Sequence, residues 1–177
     1  ASLASGVDLV TGPLALSLSS NSTINGPGTI TNAVGQTLAL GGSTIGATSG
    51  LDNRGTVVVS GSSAVDGPLT TAAGSTLRLG ETSGSATLTS AGSFANNGLI
   101  ELTSTGAGYS AQLTVTAGTL TNAAGGTITT LAGAGGLRTI SAQLDNQGLV
   151  TLNQPLTLSR ASAVHSNSGT IDASLAN

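Results

Sequence analysis

Aliphatic residues two positions apart recur along the whole chain: Leu14, Leu16 and Leu18, then Leu38 and Leu40, Leu77 and Leu79, Ile100 and Leu102, Leu113 and Val115, Val150 and Leu152, and Leu156 and Leu158. A spacing of two places side chains on one face of a strand, so each run predicts a short strand with one buried face. No stretch of about 12 residues carries helical spacing with caps and charges, so no helix is expected beyond a short terminal cap.

Between these runs a phrase returns in which an aliphatic residue is followed two positions later by Asn, then by Gly, then by another aliphatic. A short form reads Leu51-Asp-Asn53-Arg-Gly55-Thr-Val57, Phe94-Ala-Asn96-Asn-Gly98-Leu-Ile100 and Leu144-Asp-Asn146-Gln-Gly148-Leu-Val150. A long form reads Ile30-Thr-Asn32-Ala-Val-Gly35-Gln-Thr-Leu38 and Leu120-Thr-Asn122-Ala-Ala-Gly125-Gly-Thr-Ile128, with Leu69-Thr-Thr71-Ala-Ala-Gly74-Ser-Thr-Leu77 as a threonine variant. A degenerate copy, His165-Ser-Asn167-Ser-Gly169-Thr-Ile171, has His at the aliphatic anchor. The copies begin at 30, 51, 69, 94, 120, 144 and 165, so the period runs from 18 to 26 residues. A solenoid tolerates such variation, because extra residues leave the wall as loops while the corners stay in register.

The expected fold is therefore all-β: a right-handed parallel β-helix, or β-solenoid, of about seven irregular coils. At about 4.8 Å per coil such a rod is about 34 Å long. The chain reads as one domain over 1–177, with an N-terminal coil or capping and assembly strands to about residue 29, regular coils over 30–164 and a degenerate last coil over 165–177. At each corner Asn and Gly suit a positive φ, and Asn side chains stacked coil upon coil can bond to one another. Asn32, Asn53, Asn96, Asn122, Asn146 and Asn167 are the candidates for one structural corner ladder. Uncovered strand edges at the end coils invite another chain to pair with them.

Composition narrows the core and the partners. One Phe (Phe94) and one Tyr (Tyr109) leave an aliphatic core, and 27 glycines punctuate strand-forming residues. A positive mean hydropathy and a net charge of -3 argue against disorder. The four basic residues, Arg54, Arg78, Arg138 and Arg160, lie far apart, so nucleic acid is not an expected partner. No apolar run reaches transmembrane length and there are no aromatic girdles, so membrane insertion is not expected. There is no Cys, hence no disulfide or thiolate chemistry. No signal peptide is visible at Ala1-Ser-Leu-Ala-Ser5, which suits a mature form with its targeting segment removed.

At the corners, phrases such as Leu51-Asp-Asn-Arg-Gly-Thr-Val57 and Gly28-Thr-Ile-Thr-Asn32 make the sequence, from about Ile30 to Ile171, similar to the filamentous-haemagglutinin-like and autotransporter passenger β-helix proteins of Gram-negative bacteria. The resemblance implies a parallel β-helix, export across the envelope, and a surface role in adhesion, aggregation, biofilm or spacing. The chain departs from that pattern in its variable period and its shortness. A segment of a larger passenger and a small subunit that stacks end to end are the two expectations.

Candidate chemistry is sparse. The acids Asp8, Asp52, Asp66, Glu81, Glu101, Asp145 and Asp172 average one per coil, and Asp52 and Asp145 share a corner position four coils apart, roughly 19 Å at the strand spacing. That exceeds the carboxylate separations of glycosidases. His165 beside Ser166 is read as a degenerate anchor facing solvent or a partner, in preference to a general base. Gly133-Ala-Gly-Gly136 lacks the Lys and strand-to-helix setting of a phosphate loop, and no calcium repeat is present, so no metal or cofactor is expected. Thr-apolar-Thr occurs at Thr29-Thr31, Thr87-Thr89, Thr114-Thr116, Thr119-Thr121 and Thr127-Thr129, and is read as ordinary outward strand chemistry. The expected function is a secreted, non-enzymatic surface fibre module or adhesin. Its partners would be copies of itself, adjoining β-helix segments, or a host or neighbouring cell surface. A polysaccharide-cleaving β-helix enzyme and an ice-binding protein using the Thr pairs are the alternatives.

Overall fold

Alternating burial and parallel pairing organise the computed structural model, which describes residues 9–13, 15–80, 84–106 and 108–174. Asp8, Leu14 and Glu81, and the outermost residues of both end segments, lie outside these. Among the described residues there is no helix, and so none long and apolar enough to cross a membrane. Parallel strands stack in about seven coils, a β-solenoid, whose rungs form three walls; the last described turn contributes to the first two.

The first wall stacks Leu9–Val10, Thr29–Asn32, Gly50–Asn53, Leu69–Thr71, Phe94–Asn96, the end of Ala111–Asn122, the end of Arg138–Asn146, and Ser166–Asn167. The second stacks Leu16–Ser19, Thr37–Gly41, the start of Thr56–Val65, Thr76–Leu79, Leu99–Leu102, Thr127–Thr130, Leu149–Leu152 and Thr170–Asp172. The third stacks Thr23–Ile24, Thr44–Ile45, the end of Thr56–Val65, Ala86–Ser90, the start of Ala111–Asn122, the start of Arg138–Asn146, and Leu156–Leu158.

Register converts the alternating sequence into continuous inward rows. On the second wall Leu16, Leu38, Val57, Leu77, Ile100, Ile128, Val150 and Ile171 lie one above another. The interior members are sealed from solvent, whereas Ile171, in the last rung among the described residues, is 52% exposed. Each buried aliphatic contributes about 1.5 to 3 kcal/mol. On the first wall Leu9, Ile30, Leu51 and Leu69 stack at one level, and Phe94, Leu120 and Leu144 carry the same position on. The core is a thin aliphatic column running the length of the rod.

The corners hold a correction. The ladder asparagines are not left-handed: outside glycine, positive φ among the described residues occurs at Ser20, Asn21 and Ser162. The glycines act in two ways. In long corners Gly35 and Gly74 take the left-handed backbone, with φ of 74° and 78°. In short corners the need is space: a Cβ on Gly55 would lie 2.3 Å from the Ala33 carbonyl oxygen, and one on Gly148 would lie 2.3 Å from those of Ala123 and Gly126. The short corner presses on the backbone of the coil before it, and only a hydrogen fits.

Candidate functional site

The most distinctive chemistry of the molecule lies inside the corner between the first and second walls. Each first-wall strand alternates in-out-in, so the residue two after the aliphatic anchor also points inward. There the backbone turns away and cannot satisfy its neighbours, which is where the asparagine amides work. Asn32 Nδ2 donates to Asn53 Oδ1 at 2.9 Å and to the Thr56 carbonyl at 2.9 Å. Asn96 Nδ2 donates to Asn122 Oδ1 at 2.9 Å, Asn122 Nδ2 to Asn146 Oδ1 at 2.7 Å, and Asn146 Nδ2 to Asn167 Oδ1 at 2.7 Å. In each pair the amide also reaches the first carbonyl of the next second-wall strand, that of Thr127, Leu149 or Thr170. The bonds all run the same way, with donors toward the C-terminal end.

Two threonines belong to the same column. Thr71 Oγ1 donates to Asn96 Oδ1 at 3.1 Å and accepts the Asn97 backbone N–H. Thr11 Oγ1 donates to Asn32 Oδ1 at 3.0 Å and accepts the Ala33 N–H. Thr11 thus heads an eighth corner, built on Leu9-Val10-Thr11, which sequence reasoning missed. Its one signal was Thr71, already a threonine two residues after an aliphatic anchor. The five asparagines from Asn32 to Asn146 are wholly buried, and Asn167 is exposed. Beyond the bond it accepts from Asn146, Asn167 donates to Gly169 O at 3.4 Å.

The last rung shows what replaces the stack. Leu51 N–H donates to the Pro68 carbonyl in the next coil, an ordinary ladder bond. At the equivalent place Leu144 N–H donates instead to His165 Nδ1 at 3.1 Å, so an imidazole stands in for a strand carbonyl. Ser166 Oγ donates to Asp145 Oδ1 at 2.6 Å. The serine hydroxyl is thereby given to the aspartate and the imidazole lone pair to the backbone, whereas an activated serine needs its hydroxyl bonded to the histidine. The bonds from Ser166 and Gln147 hold the Asp145 carboxyl below the ordinary aspartate value.

The remaining acids are equally dispersed. Asp52 lies on the outer row of the first wall, Asp145 four rungs further along the same wall, about 19 Å away at the strand spacing. Asp52 is paired with Arg54 at 2.7 Å and accepts the Thr70 hydroxyl; it is the one carboxylate lining an open groove with Pro27, Thr29, Thr48, Pro68 and Thr70. A second groove, between the protruding long corners at Ala73–Thr76 and Gly125–Thr127, has no titratable lining side chain. Glu101 pairs with Arg78 at 2.6 Å. Among the described residues no three His, Cys, Asp or Glu side chains cluster as a metal site would require.

Arg138 occupies an inward position, stacked between Ala111 and Leu156 and only 2% exposed. Its guanidinium donates to the carbonyls of Leu131, Gly135 and Gly136, while Nε–H is buried without a partner. Burial draws its pKa below the ordinary arginine value. The Gly133–Gly136 segment therefore offers carbonyls to a cation, the opposite polarity to a loop that holds phosphate through N–H groups. The Thr-apolar-Thr pairs fall on all three walls: Thr29-Thr31 and Thr119-Thr121 on the first, Thr127-Thr129 on the second, Thr87-Thr89 on the third. Thr114 lies on the third wall, but Thr116 sits in the bulge that follows it. They form no single grid.

The chain is an all-β solenoid whose inner corner carries a polar column ending on an exposed rung. No family model, curated protein or solved structure matches it.

Proposed function

We propose that this protein is a structural module of an extracellular surface fibre, extended by stacking coil on coil, and that it performs no catalysis. The observation that carries this reading is the stack itself, parallel rungs on three walls joined coil to coil with dispersed polar chemistry outside. The aliphatic row runs along the second wall from Leu16 to Ile171, and beside it a column of asparagines and threonines runs along the corner, interrupted at Thr71, where the Asn53 amide bonds only to the Thr76 carbonyl. Parallel ladders and stacked inward rows of this kind extend by the addition of further coils. The similarity of its corner phrases to haemagglutinin-like and autotransporter passengers supports export and an adhesive or spacing role at the cell surface. Low charge, with polar cover mostly from Ser, Thr and Asn, weakens the repulsion that keeps copies apart.

The dispersed carboxylates and the Ser166 hydroxyl committed to Asp145 favour this reading over polysaccharide cleavage. The division of the Thr pairs among three walls favours it over ice binding. Electron microscopy and sedimentation of the purified chain test it: concentration-dependent rods lengthening in units of one chain are expected. A chain that stays monomeric at every concentration and joins no other solenoid coils would overturn it.

A further inference from the structure

Where the third wall leads into the first, an open groove of about 380 Å3 crosses three coils. That volume lies within the range of small-molecule sites, about 300 to 1,000 Å3. Register makes the groove. Thr29, Gly50 and Pro68 share one outer level of the first wall, and Thr31, Asp52 and Thr70 share the next. Gly50 brings no side chain to its level, so the wall dips there, and Pro27 and Pro68 line the dip. The polar groups are fixed before any ligand arrives. Arg54 Nε donates to Asp52 Oδ2 at 2.7 Å and Thr70 Oγ1 to Asp52 Oδ1 at 2.9 Å, which orients the carboxylate, offsets its charge and leaves further lone pairs on both oxygens. Thr70 Oγ1, having given its proton, remains an acceptor, and Thr48 Oγ1, which accepts the Gly26 N–H, keeps a proton to donate. The backbone is already paired: Gly50 N–H donates to the Gly28 carbonyl and Leu51 N–H to that of Pro68.

We propose that this groove binds a short segment of neutral glycan without cleaving it. A carboxylate neutralised by arginine holds little attraction for a cation, and a groove with no basic lining residue holds none for an anion. An extended peptide needs backbone partners, which rungs paired on both sides do not offer. Sugar hydroxyls each give and accept a bond, so they match a fixed carboxylate flanked by threonine hydroxyls, while the C–H face of the ring lies against proline. The groove is a property of a single chain and stands apart from the reading that coils associate into a fibre.

Titration of the isotope-labelled full chain, followed by amide chemical shifts, tests the groove. The probes are neutral tetrasaccharides of glucose, mannose, galactose and N-acetylglucosamine, a sulfated tetrasaccharide, and an uncharged peptide of serine and threonine. At least one neutral tetrasaccharide is expected to shift Thr48, Gly50, Asp52 and Thr70 with an affinity near millimolar, and the sulfated and peptide probes are expected to shift none of them. A Cβ on Gly50 would meet Thr29 Oγ1 at 3.5 Å and the Pro68 carbonyl oxygen at 3.6 Å, ordinary contacts on a strand, so Gly50→Val keeps the fold while its methyls fill the dip. It is expected to abolish binding. Asp52→Asn keeps the shape of the groove and should weaken binding about tenfold. Asp172→Asn, on the second wall, should leave binding unchanged. Neutral tetrasaccharides that shift no groove residue, binding indifferent to Gly50→Val and Asp52→Asn, or preference for the sulfated or peptide probe would each overturn the proposal. None of these results bears on the fibre reading, which sedimentation of the unliganded chain decides.

Discussion

Asn122 is the place where the polar column can be weighed. It is wholly buried, accepts from Asn96 at 2.9 Å and donates to Asn146 at 2.7 Å and to the Leu149 carbonyl at 3.1 Å. Asn122→Ala removes all three bonds, at about 1 kcal/mol net each. Asn96 keeps the carbonyls of Gly98 and Thr127, but the buried Asn146 Oδ1 loses its donor, a further cost of about 1 to 3 kcal/mol. The expected loss is therefore about 4 to 6 kcal/mol, a large part of the stability of an ordinary domain. Asn122→Thr restores the chemistry seen at Thr71 and should lose about half as much. Asn167→Ala, at an exposed rung, should lose about 1 kcal/mol or less. Urea unfolding followed by far-ultraviolet circular dichroism gives the totals, and amide exchange at Asn146 and Leu149 locates the loss, since a solenoid can open coil by coil. Equal costs for Asn122→Ala and Asn167→Ala would refute the claim that the column stabilises through buried bonds.

Other substitutions separate the remaining devices. Gly148→Ala drives a Cβ against two backbone oxygens and should cost about 3 kcal/mol or prevent folding, whereas Gly125→Ala, with open space around it, should be near neutral in the same titration. Arg160 donates to the carbonyls of Val115, Thr116 and Gly118, across the bulge that separates two registers; Arg160→Ala should cost about 1 kcal/mol and expose the 159–163 segment to proteolysis. The Asp145 carboxyl titrates lower in the folded chain than when unfolded, so its contribution is complete above the unfolded value near pH 4 and disappears as pH falls through the lower folded value. Amide exchange at Ser166 and Asn167 should therefore quicken below about pH 4, and Asp145→Asn should flatten that dependence.

The aliphatic rows were legible because strand alternation is written directly in pairs such as Leu38 and Leu40 or Ile100 and Leu102, and the corners because Asn and Gly return in fixed order. What escaped the sequence had other physical causes. Thr11 was hidden because a hydroxyl can do half the work of an amide, so the rung survives with no asparagine to flag it. The third wall was legible only in part: Leu113 with Val115 and Leu156 with Leu158 mark two of its strands, but one of its inward levels runs through Ala86, Ala111 and Arg138, three residues with no shared hydropathy. Arg138 looks like a surface residue in any pattern; only the carbonyls of its own loop make its burial tolerable. The corner glycines were seen, but contact with the preceding coil, and not backbone handedness, explains Gly55 and Gly148.

The buried column also answers a problem that the irregular period creates. Leu, Ile and Val stack on one another in any combination, so the aliphatic rows alone do not specify which coil position meets which, and loops that vary between 18- and 26-residue periods carry no register either. A slip of one residue would turn every inward side chain outward. A slip of two would keep the apolar faces together, yet it would set an asparagine against Leu or Ile and leave its amide buried and unpaired, at a cost of about 1 to 3 kcal/mol per rung. The column therefore selects one register at each step, independently of what the loop between steps contains. That selectivity is strongest where asparagine follows asparagine and is relaxed at Thr71, where the Asn53 amide bonds only to a backbone carbonyl. A threonine rung is thus the step at which the stack asks least of the side chain below it.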